Sequence, residues 1–155
     1  MGSAPEKRQA FQYAIVRVVP HVERGECLNA GVILFCRARR FLDARVHLDS
    51  GLLHALAPDC DSGAVAAHLD AIVRTCAGDE AAGPVARLAQ PEPFHWLVAP
   101  SSTIVQVSPV HTGLTADPAG TLERLFGSLV LREPVAGPDS ASEPEPASEP
   151  SSGAG

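Results

Sequence analysis

YAIVRVVPHVERGECLNAGVILFC, residues 13–36, contains two apolar runs joined by a short polar link. Residues 13–19 are rich in β-branched side chains and close at Pro20, which predicts a strand. The link, residues 21–26, carries Gly25 as its turn residue. The second run, LNAGVILFC, is apolar at both parities through Val32, Ile33, Leu34 and Phe35, as a strand covered on both faces requires. So short a connection makes the two runs antiparallel neighbours. Outward from this hairpin, Arg37, Arg39 and Arg40 form a turn into residues 41–48. There Leu42, Ala44, Val46 and Leu48 alternate with Asp43, Arg45 and His47, giving a third strand with one wet face. A three-strand meander is the expected centre of the fold.

Helical spacing takes over further along the chain. Residues 52–57 predict a short helix stopped by Pro58. Ser62 is the expected N-cap of a helix reaching Cys76 and closed by Gly78. Its Val65, Leu69, Ile72, Val73 and Cys76 make one apolar stripe. Pro84 opens an expected short helix to residue 89, broken by Pro91 and Pro93. FHWLVA (94–99) and TIVQVS (103–108) are expected as two further strands around a Pro100-Ser101-Ser102 turn. Residues 110–116 are expected to be a loop. Asp117 then caps a last helix with Pro118 at its first position and Leu122, Leu125, Phe126, Leu129 and Val130 inward. The expected architecture is α+β: a mainly antiparallel sheet of about five strands, with two main helices packed on a face. It occupies residues 11–133, after a flexible N-terminus of residues 1–10.

Residues 134–155 turn to Pro, Ser, Glu, Ala and Gly without apolar period. Such a segment buries too little to offset its ordering entropy, so a disordered tail is expected. The chain's net charge is −6, and Asp139, Glu143, Glu145 and Glu149 in this tail carry four of those charges with no base beside them. What remains is close to neutral, which argues against a nucleic-acid surface built on counterion release. The N-terminus lacks the apolar core of a signal peptide, and no run approaches bilayer length. A cytoplasmic protein with no membrane partner is the expectation. The cysteines at 27, 36, 60 and 76 show no CxxC or zinc-finger spacing. Cys36 and Cys76 fall among apolar positions, where a thiol acts as a small hydrophobe. No metal and no cofactor are implied.

The blocks YAIVRVVPHVERGECLNAGVILFC, FHWLVAPSSTIVQVSPVHTGLTADP and LERLFGSLV together resemble the bacterial family catalogued as domain of unknown function 3037. The resemblance runs from residue 11 to 132. That family brings no established activity, cofactor or catalytic residue. It implies an accessory protein, with a HipA-like kinase as the partner to consider. The near-exclusive use of arginine over lysine, with Lys7 the sole lysine, fits the coding bias of a GC-rich bacterial genome.

Two polar clusters stand out as candidate interaction or ligand sites. The first comprises Arg17, His21, Glu23, Arg24, Glu26 and Asn29, at the end of a strand and in the loop beyond it. His21, Glu23 and Glu26 could serve as acid/base groups or ligate a divalent metal, but without HExxH or paired-Cys spacing a structural or partner-binding role is preferred. The second cluster comprises Ser101, Ser102, Thr103, Gln106, Ser108, His111, Thr112 and Gly113. Its hydroxyls could hold an anion, yet a tight hairpin uses the same residues. No GxSxG context makes a nucleophile of the serines. Trp96 is expected in the core. No catalytic residue is assigned. The preferred reading is a non-enzymatic interaction module; the alternative is a small enzyme or ligand-binding domain with a polar cleft between the 21–29 loop and the 101–112 segment.

Overall fold

The computed structural model describes residues 7–79, 89–99 and 103–132. Three antiparallel strands, β1 (Gln9–Val18), β2 (Leu28–Cys36) and β3 (Phe41–Val46), form the expected meander. Arg37–Arg39 make a 3₁₀ turn, and Arg40 takes the left-handed conformation (φ 49°) that lets the chain reverse into β3. Two short strands, β4 (Val105–Val107) and β5 (His111–Thr115), both pair antiparallel to β1 on its other edge. The order is β3-β2-β1-β4, with β5 continuing β4 along β1.

Strand count matches expectation, but two of the expected segments exchange roles. Residues 94–99 are not a strand: Pro91–Leu97 form helix α3 (third of four among the described residues). Pro91 sits where a helix needs no N–H, and Pro93, Phe94 and Leu97 are buried at helical spacing. Conversely, the expected loop at 110–116 contains β5. Pro109 does not end the edge; it interrupts it. The three steps from Val16 to Tyr13 on β1 are matched by four from Val107 to His111, so one extra residue bulges out there. Ser108 bridges the gap. Its N–H donates to the Ile15 carbonyl (2.8 Å), its Oγ accepts from the Ile15 N–H (2.8 Å), and the hydroxyl donates to the Pro109 carbonyl (2.9 Å).

The other helices are α1 (Ser50–Leu56), α2 (Ser62–Cys76) and α4 (Pro118–Leu129). Aspartates cap all three: Asp49, Asp61 and Asp117 accept from Leu52, Ala64 and Gly120. Asp61 thus takes the capping role expected of Ser62, which is the first helical residue. The expected helix over 84–89 and the tail fall on residues outside those described, apart from Ala89.

The sheet is covered on both faces, which is why β2 is apolar at both parities. On one face Val16, Val18, Ile33, Phe35 and Ala44 pack with Leu53, Val65, Leu69, Ile72 and Phe94 of the first three helices. Phe35 and Phe94 stack with ring centroids 5.0 Å apart. On the other face Phe11, Val32, Leu34 and Cys36 pack with Leu122, Phe126 and Val130 of α4 and beyond. The two main helices therefore lie on opposite sides. A bulge in β2 makes the switch: Val16 faces Gly31 while Arg17 faces Asn29, leaving Ala30 without a partner on β1. Leu28 and Ala30 consequently share a face with Ile33 and Phe35, and Asn29 shares the α4 side with Val32 and Leu34. Trp96, expected in the core, stands 62% exposed on α3.

Candidate functional site

The β1–β2 link and the start of β4 are tied together by the Val19 N–H, which donates to the Ile104 carbonyl (2.6 Å). This bond brings the two segments that carry the polar clusters alongside the N-terminal end of α2. An open groove of about 470 Å³ lies there, lined by Val22, Ala64, Val65, Ile104 and Val105. Val22 (47%) and Ile104 (42%) are exposed although both are aliphatic. Asp61, His68 and Thr103 supply polar edges, and the Asp61 carboxylate is engaged in capping α2. The loop with the sequence pattern of a polar cleft thus borders a largely apolar one. Val22 and Ile104 were not singled out from sequence, because one aliphatic residue in a polar loop or at a strand start carries no periodicity.

The expected site residues separate into three places. His21, Glu23 and Glu26 are exposed on the link, and Glu26 pairs with Arg24 at 2.7 Å. An ion pair this exposed contributes little to stability. Arg17, Asn29 and Gln106 come together on the far side of the sheet, where Arg17 lies between Asn29 across β2 and Gln106 across β4. All three are half-buried, and the Asn29 side-chain amide donates to the Leu129 carbonyl at the end of α4 (3.0 Å). His111 sits four residues further down, opposite Tyr13, with ring centroids 5.1 Å apart. Four residues of strand is about 13 Å, so His111 does not join Arg17 in one contact site. Ser102, like Ser101, lies outside the described residues.

Among the described residues no group of three or more His, Cys, Asp and Glu side chains is placed to hold a metal ion. Cys36 and Cys76 are buried, as their apolar surroundings predict, while Cys27 is exposed and Cys60 borders the groove. Burial, with a smaller contribution from the Asp43 carboxylate, pushes the Cys76 thiol up to about 12. Such a thiol is a packing group rather than a nucleophile at neutral pH. Among the described residues, no helix is long and apolar enough to cross a membrane.

An antiparallel sheet with helices on both faces and an open apolar groove at one end defines a small α+β domain. A family model described as a protein of unknown function (DUF3037) matches residues 13–130, and the chain belongs to that family. No curated protein and no solved structure matches it.

Proposed function

We propose that this chain is a cytoplasmic accessory module that docks a protein partner in the groove between Val22 and Ile104. The observation carrying this reading is the exposure of those two aliphatic side chains in the lining of one open groove. Burying them on a partner would remove apolar area from water. The polar residues His21, Glu23 and Glu26 are exposed in the same link as Val22, which fits an interface with an apolar centre and polar rim. An extended partner segment offering one or two aliphatic or aromatic side chains suits the groove. The HipA-like kinase implied by the family resemblance is the first partner to assay.

The test is co-purification of the chain with that kinase from a shared host, using Val22→Asp and Ile104→Asp. Each variant should abolish capture while melting within a few degrees of the parent, since both positions are exposed. Capture that survives both substitutions refutes the groove as the docking site. Glu26→Ala and His111→Ala separate rim from distant surface: Glu26→Ala should weaken capture modestly, and His111→Ala should leave it unchanged.

A further inference from the structure

Arg17 lies on β1, an interior strand of the sheet, and among the described residues it forms no ion pair with a carboxylate. Its Nε–H is closed to solvent and meets no acceptor, alone among the buried side-chain nitrogens and oxygens of the described residues. The residue as a whole is half-buried, and among the described residues no hydrogen bond or ion pair engages its two Nη groups, which are not closed to solvent. Glu123 of α4 pairs with Arg45 rather than with Arg17. Flanking it are two side-chain amides, Asn29 and Gln106, the first anchored to the end of α4.

A buried guanidinium donor without an acceptor costs stability, and a guanidinium is charged at any pH the protein will meet. A planar fork of donors with an unmet Nε–H, and a side-chain amide on each neighbouring strand, matches the oxygens of a carboxylate or phosphate. We propose that Arg17, supported by Gln106, binds an oxyanion on the sheet face beside α4. This site is distinct from the docking groove: Arg17 and Gln106 alternate with Val16, Val18 and Val105, whose side chains face α2. It stands or falls independently of that reading. Two sources offer the required chemistry. One is a free phosphate or carboxylate ligand. The other is the chain's own acidic terminal stretch, whose Asp139, Glu143, Glu145 and Glu149 have no base near them in sequence.

The experiment follows the arginine Nε–H signals of the full chain by ¹H–¹⁵N NMR during titration with inorganic phosphate. Ionic strength is held constant, and chloride serves as the control. Arg17→Lys, which keeps the charge but removes the fork, identifies the signal. The expected result is a saturable shift of the Arg17 Nε–H at millimolar phosphate, absent with chloride, together with a phosphate-dependent rise in melting temperature that Arg17→Lys loses. A second full-length variant carries Asn or Gln at the four tail acids. If the tail is the natural occupant, this variant shows a displaced Arg17 signal before any phosphate is added and binds phosphate more tightly. If the ligand is external, the variant titrates like the parent. A structural Arg17, serving only to face the negative end of α4, would lower stability on substitution but show no saturable response to phosphate. That outcome, or a shift no different from that with chloride, overturns the proposal.

Discussion

Replacing Gly31 with alanine would put a methyl group 2.8 Å from the Arg45 carbonyl oxygen and 2.8 Å from Val46 Cγ1, with Val16 Cβ at 3.4 Å. Gly31 lies at the β2 bulge, opposite Val16 on one side and Val46 on the other. β2 therefore cannot move away from β3 without pressing on β1. One of the two close contacts is backbone, which no rotamer change relieves. Overpacking of this kind costs about 1–3 kcal/mol. Alanine also stiffens the unfolded chain, which returns roughly 0.4–1 kcal/mol. The net expectation is a loss of about 1–2 kcal/mol, or a melting temperature lower by roughly 4–8 °C for a domain of this size. Thermal and urea melts of Gly31→Ala measure it. Gly127→Ala is the control, because a methyl group there meets nothing within 4 Å on the exposed side of α4. It should gain up to ~1 kcal/mol from helix propensity. A Gly31→Ala protein as stable as its parent, with Gly127→Ala behaving as expected, would refute the close β2–β3 approach at the bulge.

Leu69→Ala should cost ~2–5 kcal/mol, since Leu69 is 2% exposed within the larger core, whereas half-buried Leu125 at the margin of the smaller one should cost clearly less in the same urea melt. Equal losses would mean that α4 is packed more deeply than its burial indicates. Ser108→Ala removes the hydroxyl acceptor of the Ile15 N–H, with an expected loss of roughly 1–3 kcal/mol and faster exchange of that amide; unchanged exchange would rule out the bridging role. Thiol-reactive dye should label Cys27 readily in the folded protein at pH 8, and Cys36 and Cys76 only after unfolding. Below pH 9 the Cys76 thiol is protonated in both states. Between 9 and about 12 the unfolded chain ionises it while the folded protein does not, so stability falls as pH rises through this window. Cys76→Ala should flatten that part of the profile, and an identical slope in the variant would contradict the cause assigned.

Much of the fold could be read from local pattern. β2 is expected and found at Leu28–Cys36, and α4 is expected and found behind Asp117 and Pro118. Both carry signals that need no distant contact: continuous apolar parity in one, a cap and a proline at the right positions in the other. The failures share a cause as well. FHWLVA has strand-like composition, and the burial of Phe94 and Leu97 against the sheet, behind Pro91 in the first turn, selects the helix. HTGLT has weak strand character. It becomes β5 because β1 is long enough to pair twice along one edge, and because Phe11 lies over Gly113, where a side chain would collide with its ring.

The candidate site divides in the same way. Composition places polar residues at the end of β1, in the link and on the edge strand, and the structure keeps them there. Alternation then sends Arg17 and Gln106 to one side of the sheet, while Val105 takes the other with the groove. Sequence alone determined the element types that local caps, turns and apolar periods specify, and a family membership that follows from their order. Tertiary structure alone decided that Asn29 joins Arg17 and Gln106 on the α4 side, because a single bulged residue at Ala30 reverses the parity of β2 before it. It also made a groove from Val22, Ile104 and Val65, three aliphatic residues far apart in the chain, which only the pairing of β1 with β4 over α2 brings together.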